Sequence, residues 1–222
     1  GEKRYFGEAP TDLSEKPPSR IFAFKPWPCP VPSWVPEAVI YQIFPDRFFN
    51  GDRANDPPSL AAWNSPPTYT NFFGGDLAGI QAKLSYLKSL GITALYLCPI
   101  FKSPSNHRYD TEDYYQIDPL LGNQETLAAL VGDCHRQGMK IILDGVFNHT
   151  SDKFAGFQDL FRQGDKSPFW KWYTVYKFPF EIKENPDYAA WWGFGHMPKL
   201  NTSLRPVTEY LLGVAEHWLK TG

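Results

Sequence analysis

At 222 residues the chain has room for one large hydrophobic core, but a (β/α)8 barrel takes roughly 250 residues before insertions, so a whole barrel does not fit. Its 22 basic and 24 acidic residues leave a net charge of −2; no run of lysine or arginine offers a footprint for nucleic acid, and no apolar stretch approaches the ~18 residues of a membrane span. Cys29, Cys98 and Cys134 cannot all pair and none stands in C-x-x-C spacing, so they read as buried free thiols of a reducing, cytoplasmic setting.

Residues 1–36 carry eight prolines and no helical period, the pattern of a linker or of the tail of another domain. Val39 to Phe44 is an apolar, β-prone run closed by Pro45, which predicts a strand over 39–44 buried on both faces. Leu77, Ile80, Leu84 and Leu87 then recur at helical spacing up to Gly91, predicting one helix. A second strand is expected over 92–97, and a second helix on Leu127, Leu130, Val131 and Cys134, with Asn123 as N-cap and Gly138 as stop. Lys140 to Val146 makes a third strand. Strand, helix and strand with crossover-length helices predict a parallel α/β sheet of right-handed βαβ units. Over 151–203 the period breaks among fourteen aromatic residues, so a small inserted unit fits better than a bare loop. Val207, Tyr210, Leu211, Val214 and Trp218 mark a last helix behind Pro206.

In an α/β barrel the polar residues that follow each strand carry the chemistry. After the third strand come Asp144, Asn148 and His149: an imidazole able to donate to a sugar hydroxyl, an amide able to coordinate an ion or brace the insertion, and a carboxylate able to orient a neighbouring Arg or His. The plainer alternative makes all three satisfied turn residues. After the second strand, Tyr109 beside Asp110 pairs a stacking face with an acceptor, against the alternative of a polar loop with core tyrosines. Aromatic residues make up 17% of the chain, and sugars need such platforms, although cores use them too. After the first strand, Asn50, Asp52, Asn55 and Asp56 surround a glycine turn, with Gly74 and Asp76 further on. That density of oxygens suits a hard cation such as Ca²⁺, or simply an Asx-rich turn.

Five segments in order resemble glycoside hydrolase family 13: residues 41–48 (YQIFPDRF), 75–80 (GDLAGI), 107–111 (HRYDT) and 144–149 (DGVFNH), and 197–201 (MPKLN), the last typical of its cyclomaltodextrinase, neopullulanase and maltogenic amylase branch. The resemblance covers about 37–222. It implies the first three βα units of a (β/α)8 barrel over 37–150, an inserted domain B over 151–203 and the third barrel helix over 204–222, with 1–36 as the tail of a β-sandwich domain. It implies a retaining α-glucan hydrolase acting on α-1,4 or α-1,6 bonds of cyclomaltodextrins, maltooligosaccharides or pullulan, and allows a homodimeric intact enzyme. His149 would contact the sugar at the cleavage subsite, Tyr109 stack under it, Asp110 bind substrate and Asp144 support the centre. Asn50, Asp52, Asn55, Asp56, Gly74 and Asp76 would bind a structural calcium ion. The family's nucleophile and acid/base would lie beyond Gly222, leaving residues 1–222 inactive alone. A non-catalytic relative of the same fold, of the amino-acid-transporter heavy-chain kind, is the alternative; the intact Tyr109, Asp144, Asn148 and His149 weigh against it.

Overall fold

The computed structural model describes residues 31–222 and the backbone of two short strands before them. The chain divides into two compact units, 1–37 and 38–222. In the first, β1 (Tyr5–Phe6) pairs antiparallel with β2 (Leu13–Ser14), and a single 3-10 turn spans Val35–Glu37. Most of the expected tail over 1–36 lies outside the described residues.

The second unit is built on a parallel sheet of β3 (Ile40–Ile43), β4 (Ala94–Leu97) and β7 (Lys140–Leu143), in the order β3-β4-β7. Ile43, Leu97 and Leu143 stand level across the ladder, so the segments that follow the three strands leave from one edge. This is the order and polarity that successive βαβ units require. The strand interiors depart from expectation in one respect. Only the central β4 is buried over most of its length; in β3 Ile40, Tyr41 and Gln42 are exposed and Ile43 alone is covered. β3 has a partner on one side only among the described residues, and apolar side chains at an edge have no second layer to enter. β7 ends at Leu143 rather than at residue 146, because the chain turns at once, with Phe147 N donating to Gly145 O.

The helix predicted to run to Gly91 is two helices, α1 (Leu77–Ala82) and α2 (Leu84–Ser89), separated at Lys83, where a tighter bond from its N–H to Ile80 O interrupts the α ladder. Leu77, Ile80, Leu84 and Leu87 keep their common buried face across the break. α2 stops as its sequence directs: Gly91 sits at φ +80°, its N–H bonds Lys88 O, and Ile92 N bonds Leu87 O. α3 (Gln124–Arg136) repeats the device at Gly138 (φ +73°). Both ends are the reciprocal bonding that a left-handed glycine allows. At its start Asn123 Oδ1 accepts from Thr126 N at 2.9 Å, as the N-cap expectation requires.

Residues 151–203 contain α4 (Ala155–Gln163), single 3-10 turns and isolated antiparallel bridges at His149–Lys199, Tyr173–Leu200, Val175–Tyr188 and Ala190–Pro198. Phe157, Tyr173, Phe180 and Tyr188 form its aromatic centre, with ring centroids 4.6–5.9 Å apart. α5 (Arg205–Leu219) follows, and its Trp218 stacks on Phe101 at 4.8 Å. Phe101 belongs to β5 (Phe101–Lys102), which pairs antiparallel with β6 (Asp113–Ile117).

Tyr114 on β6 ties this packing to the strand ends. It is wholly buried among Phe101, Phe154 and Tyr210, its carbonyl accepts from Trp218 Nε1 at 2.7 Å, and its hydroxyl lies 2.8 Å from both Val146 O and His149 O. Burial raises its pKa well above the ordinary value, so the phenol remains a donor. Its one hydrogen is shared between these two buried carbonyls, and replacing it by Phe removes their common donor at a cost of about 1–3 kcal/mol. The Tyr114→Phe protein should therefore unfold at lower urea concentration with an unchanged m-value; a coincident transition would contradict this role.

Candidate active site

The loops leaving the sheet edge converge on Asp144. Tyr109 Oη donates to Asp144 Oδ2 at 3.0 Å, joining the loop after β5 to the end of β7. Tyr96, on β4, faces the same carboxylate: burial first, and then Asp144, push its phenol up to about 12. Tyr109 is shifted upward as well, by burial first and then by Cys98 and Asp144. Both phenols thus keep their protons and present donors to the carboxylate.

His149 closes the cluster. Its Nε2 lies 3.1 Å from the carbonyl oxygen of Tyr109, and its Nδ1 lies 3.0 Å from Asn148 Nδ2. A carbonyl only accepts and an amide nitrogen only donates, so the ring carries its hydrogen on Nε2 and is neutral. Burial lowers its pKa, against the opposing pull of the Tyr109 carbonyl and Asp110. The MPKLN segment supports it from behind: Leu200 N donates to Asn148 O at 2.9 Å and Thr150 N to Pro198 O at 3.1 Å. The Trp191 ring lies 5.7 Å from the imidazole.

Asp110 packs into the loop that carries Tyr109. Its Oδ1 accepts from Ser103 Oγ at 2.7 Å and from Ser105 Oγ, and the side chain is buried. The carboxylate therefore ties its own loop. Asp46, after β3, is similarly enclosed: Phe73 N and Gly74 N donate to it, and burial raises its pKa. Neither Tyr96 nor Trp191 was legible as a site residue, since one sits inside a strand and the other in an aromatic stretch without period.

The Asx loop gathers around Asp76, which is fully buried and caps α1. Its Oδ1 accepts from Gly51 N and Gly79 N, and its Oδ2 from Asp52 N and Asn55 Nδ2, at 2.6–3.1 Å. Asn50 Nδ2 donates to Asp56 Oδ1 at 2.5 Å, and Gly74, at φ +75°, approaches so closely that a Cβ there would stand 2.7 Å from Asp56 Oδ1. Asn50 Oδ1 and Asn55 Oδ1 are buried without a donor, which fits acceptors awaiting a hard cation. Asp52 is exposed, and its Oδ1 accepts from Ala54 N at 2.9 Å, capping the turn Arg53–Asn55.

The neutral histidines set a pH dependence. His107 and His149 both titrate below the ordinary histidine value when folded, with burial the largest cause. The unfolded chain then binds more protons, so their contribution to stability is complete above about pH 6.5 and is lost as pH falls through the folded values. Between pH 7.5 and 5.5 the wild type should lose more stability to urea than His149→Gln; equal losses would show that His149 is not held neutral.

Residues 42–222 match the family described as alpha amylase, catalytic domain. The chain is 44% identical over 231 residues to a cyclomaltodextrinase of Thermoanaerobacter pseudethanolicus, covering 99% of this chain and 40% of that protein. It is also 44% identical over 230 residues to neopullulanase 2 of Thermoactinomyces vulgaris, covering 100% and 39% respectively. Among solved structures, the cyclic α-maltosyl-(1→6)-maltose hydrolase of Arthrobacter globiformis, in complex with that cyclic sugar, aligns with a TM-score of 0.84 at 42% identity, over 86% of this chain and 43% of the other. The chain thus spans about 40% of the length of the curated relatives it matches. A parallel sheet whose loops meet in a Tyr109–Asp144–His149 cluster, with a family match over 42–222, establishes that this chain belongs to the α-amylase catalytic-domain family and carries the N-terminal part of its α/β barrel.

Proposed function

We propose that this chain is part of a retaining α-glucan hydrolase that cleaves α-1,4 or α-1,6 glucosidic bonds in cyclomaltodextrins, maltooligosaccharides or pullulan, with nucleophile and acid/base supplied outside residues 1–222. In this proposal residues 37–150 and 204–222 belong to the barrel, and 151–203 are an inserted domain. The observation that carries it is the joining of a half-buried tyrosine ring, a carboxylate and a neutral imidazole at one strand end. Tyr109 offers a flat face for the apolar side of a glucosyl ring. Asp144 holds that ring by its hydroxyl, and His149 donates Nε2–H to a sugar hydroxyl in place of the Tyr109 carbonyl. Asp110 shapes the loop.

Retention requires two carboxyl groups about 5–5.5 Å apart across the scissile bond. Asp46, Asp110 and Asp144 each have internal donors that commit them to structure, which supports placing the reactive pair elsewhere. β7 also has an apolar cavity of about 530 Å³ along its flank, lined by Leu127, Val131, Ile141, Leu143, Phe147 and Trp218 among others. Such a flank suits a further strand. No helix among the described residues is long and apolar enough to cross a membrane. With Cys98 and Cys134 buried as free thiols, we place the protein in the cytoplasm.

In the whole protein His149→Ala should lower kcat/KM by about 1–3 kcal/mol of transition-state binding, while residues 1–222 alone release no reducing sugar from β-cyclodextrin above a blank. Release by residues 1–222 that disappears on changing Asp144 would place the chemistry in this chain.

A structural calcium ion belongs to the same proposal. Asn50, Asn55, Asp56 and Asp76, with the Gly74 carbonyl, would hold it, and Asp52 would contribute through the turn it caps. Bound there, the ion would supply charge to join the loop after β3 to the start of α1. Saturating calcium at about 100 times Kd adds about 2.7 kcal/mol of stability. Calcium should raise the melting temperature of the whole protein and leave that of Asn55→Ala much less changed; an equal rise in both would remove Asn55 from the ligand set.

A further inference from the structure

Arg108 stands between His107 and Tyr109 and faces the other way. It is 1% exposed, the largest side chain among the described residues to be so fully enclosed. Its backbone adopts φ +60°, a left-handed conformation that glycine accepts freely and a branched or long L-residue avoids. The enclosed side chain offsets the cost of that conformation through its own contacts. Nη1 donates to Asn106 O at 2.7 Å, and Nε lies 3.2 Å from Asp118 Oδ2, though without a directed hydrogen bond. Asp118 is itself buried and accepts from Leu120 N at 2.9 Å and Ser103 N at 3.3 Å. The charge of Arg108 also reaches the buried Asp46 beyond β3. Backbone N–H of Arg108 donates to Ser105 Oγ at 3.0 Å, and that of Tyr109 to His107 Nδ1 at 3.1 Å.

We propose, on the basis of the function above, that Arg108 is a positioning residue: its guanidinium, anchored between Asp118 and the Asn106 carbonyl, holds residue 108 in the left-handed turn that brings Tyr109 onto Asp144 and His149. The anchor and the site share one backbone turn. Release of the guanidinium frees residue 108 to leave that conformation, and Tyr109 then carries both its hydroxyl and its carbonyl away from their partners. Lysine keeps the charge but lacks the planar fork that reaches two acceptors at once.

Loss of the arginine alone also strands the Asp118 carboxylate in the interior, so stability and positioning must be separated. Arg108→Gly with Asp118→Asn removes both charges and leaves a residue to which φ +60° is open. In the whole protein the double variant should recover most of the melting temperature lost by Arg108→Gly, while its kcat on β-cyclodextrin stays about 100-fold below wild type, the scale of a displacement of about 1 Å in a catalytic site. Arg108→Lys should fall between. Crystal structures give a readout independent of activity: Tyr109 Oη should move beyond hydrogen-bond distance of Asp144 in the double variant. A kcat within about twofold of wild type, or a retained Tyr109–Asp144 hydrogen bond, would overturn the proposal. Should the double variant fail to fold, the same two measurements on Arg108→Lys decide: wild-type kcat and an intact bond refute it, and a lowered kcat with a lengthened bond upholds it. A wild-type protein without α-glucan activity would instead refute the functional reading, leaving the Tyr109–Asp144 geometry to judge Arg108.

Discussion

The hydrogen bond from Tyr109 to Asp144 is the contact on which the site depends, because it joins two loops that the sheet only brings near one another. The parallel register sets Ile43, Leu97 and Leu143 level and so delivers three chain segments to one edge, but it does not orient a side chain. Orientation comes from a short series of polar contacts: Asp144 to Tyr109, the Tyr109 carbonyl to His149, and the His149 carbonyl to the Tyr114 hydroxyl. Each is buried or partly so, where a hydrogen bond is strong and its loss leaves a group unpaired. The polar contacts of the site thus continue into the buried interior beneath it.

Burial also fixes protonation. Tyr96 and Tyr109, which face Asp144, are shifted upward, and His107 and His149 in the adjoining loops are shifted downward, with burial the largest cause in each case. The exposed tryptophans Trp191 and Trp192 border this region, so the aromatic content serves two ends: Phe157, Phe180 and Tyr188 fill the interior of residues 151–203, while other rings remain open to solvent.

Features governed by local physics were legible in the sequence. Gly91 and Gly138 end helices through their own backbone freedom, Asn123 caps by a side chain three residues from its donor, and apolar spacing marked the buried face of α1 and α2 although not the break between them. The parallel polarity of the strands followed from crossover length. What was not legible depends on neighbours remote in sequence. The exposure of Ile40 and Tyr41 comes from an uncovered sheet edge. Asp110 turned inward because two serines of its own loop reach it, and Asp52 was taken by a turn. Tyr96 reaches Asp144 through strand pairing across 48 positions. Arg108 was visible only as part of a motif; its burial and its left-handed backbone required the three-dimensional fold.

The central claim, that the Tyr109–Asp144–His149 cluster receives a glucosyl ring, is tested most directly by a crystal structure of the whole protein with a bound maltooligosaccharide. A sugar ring should stack on Tyr109 at van der Waals distance, about 3.5–4.0 Å, with a hydroxyl on His149 Nε2. An oligosaccharide bound productively elsewhere, with Tyr109 and His149 still engaged only with each other, would contradict it.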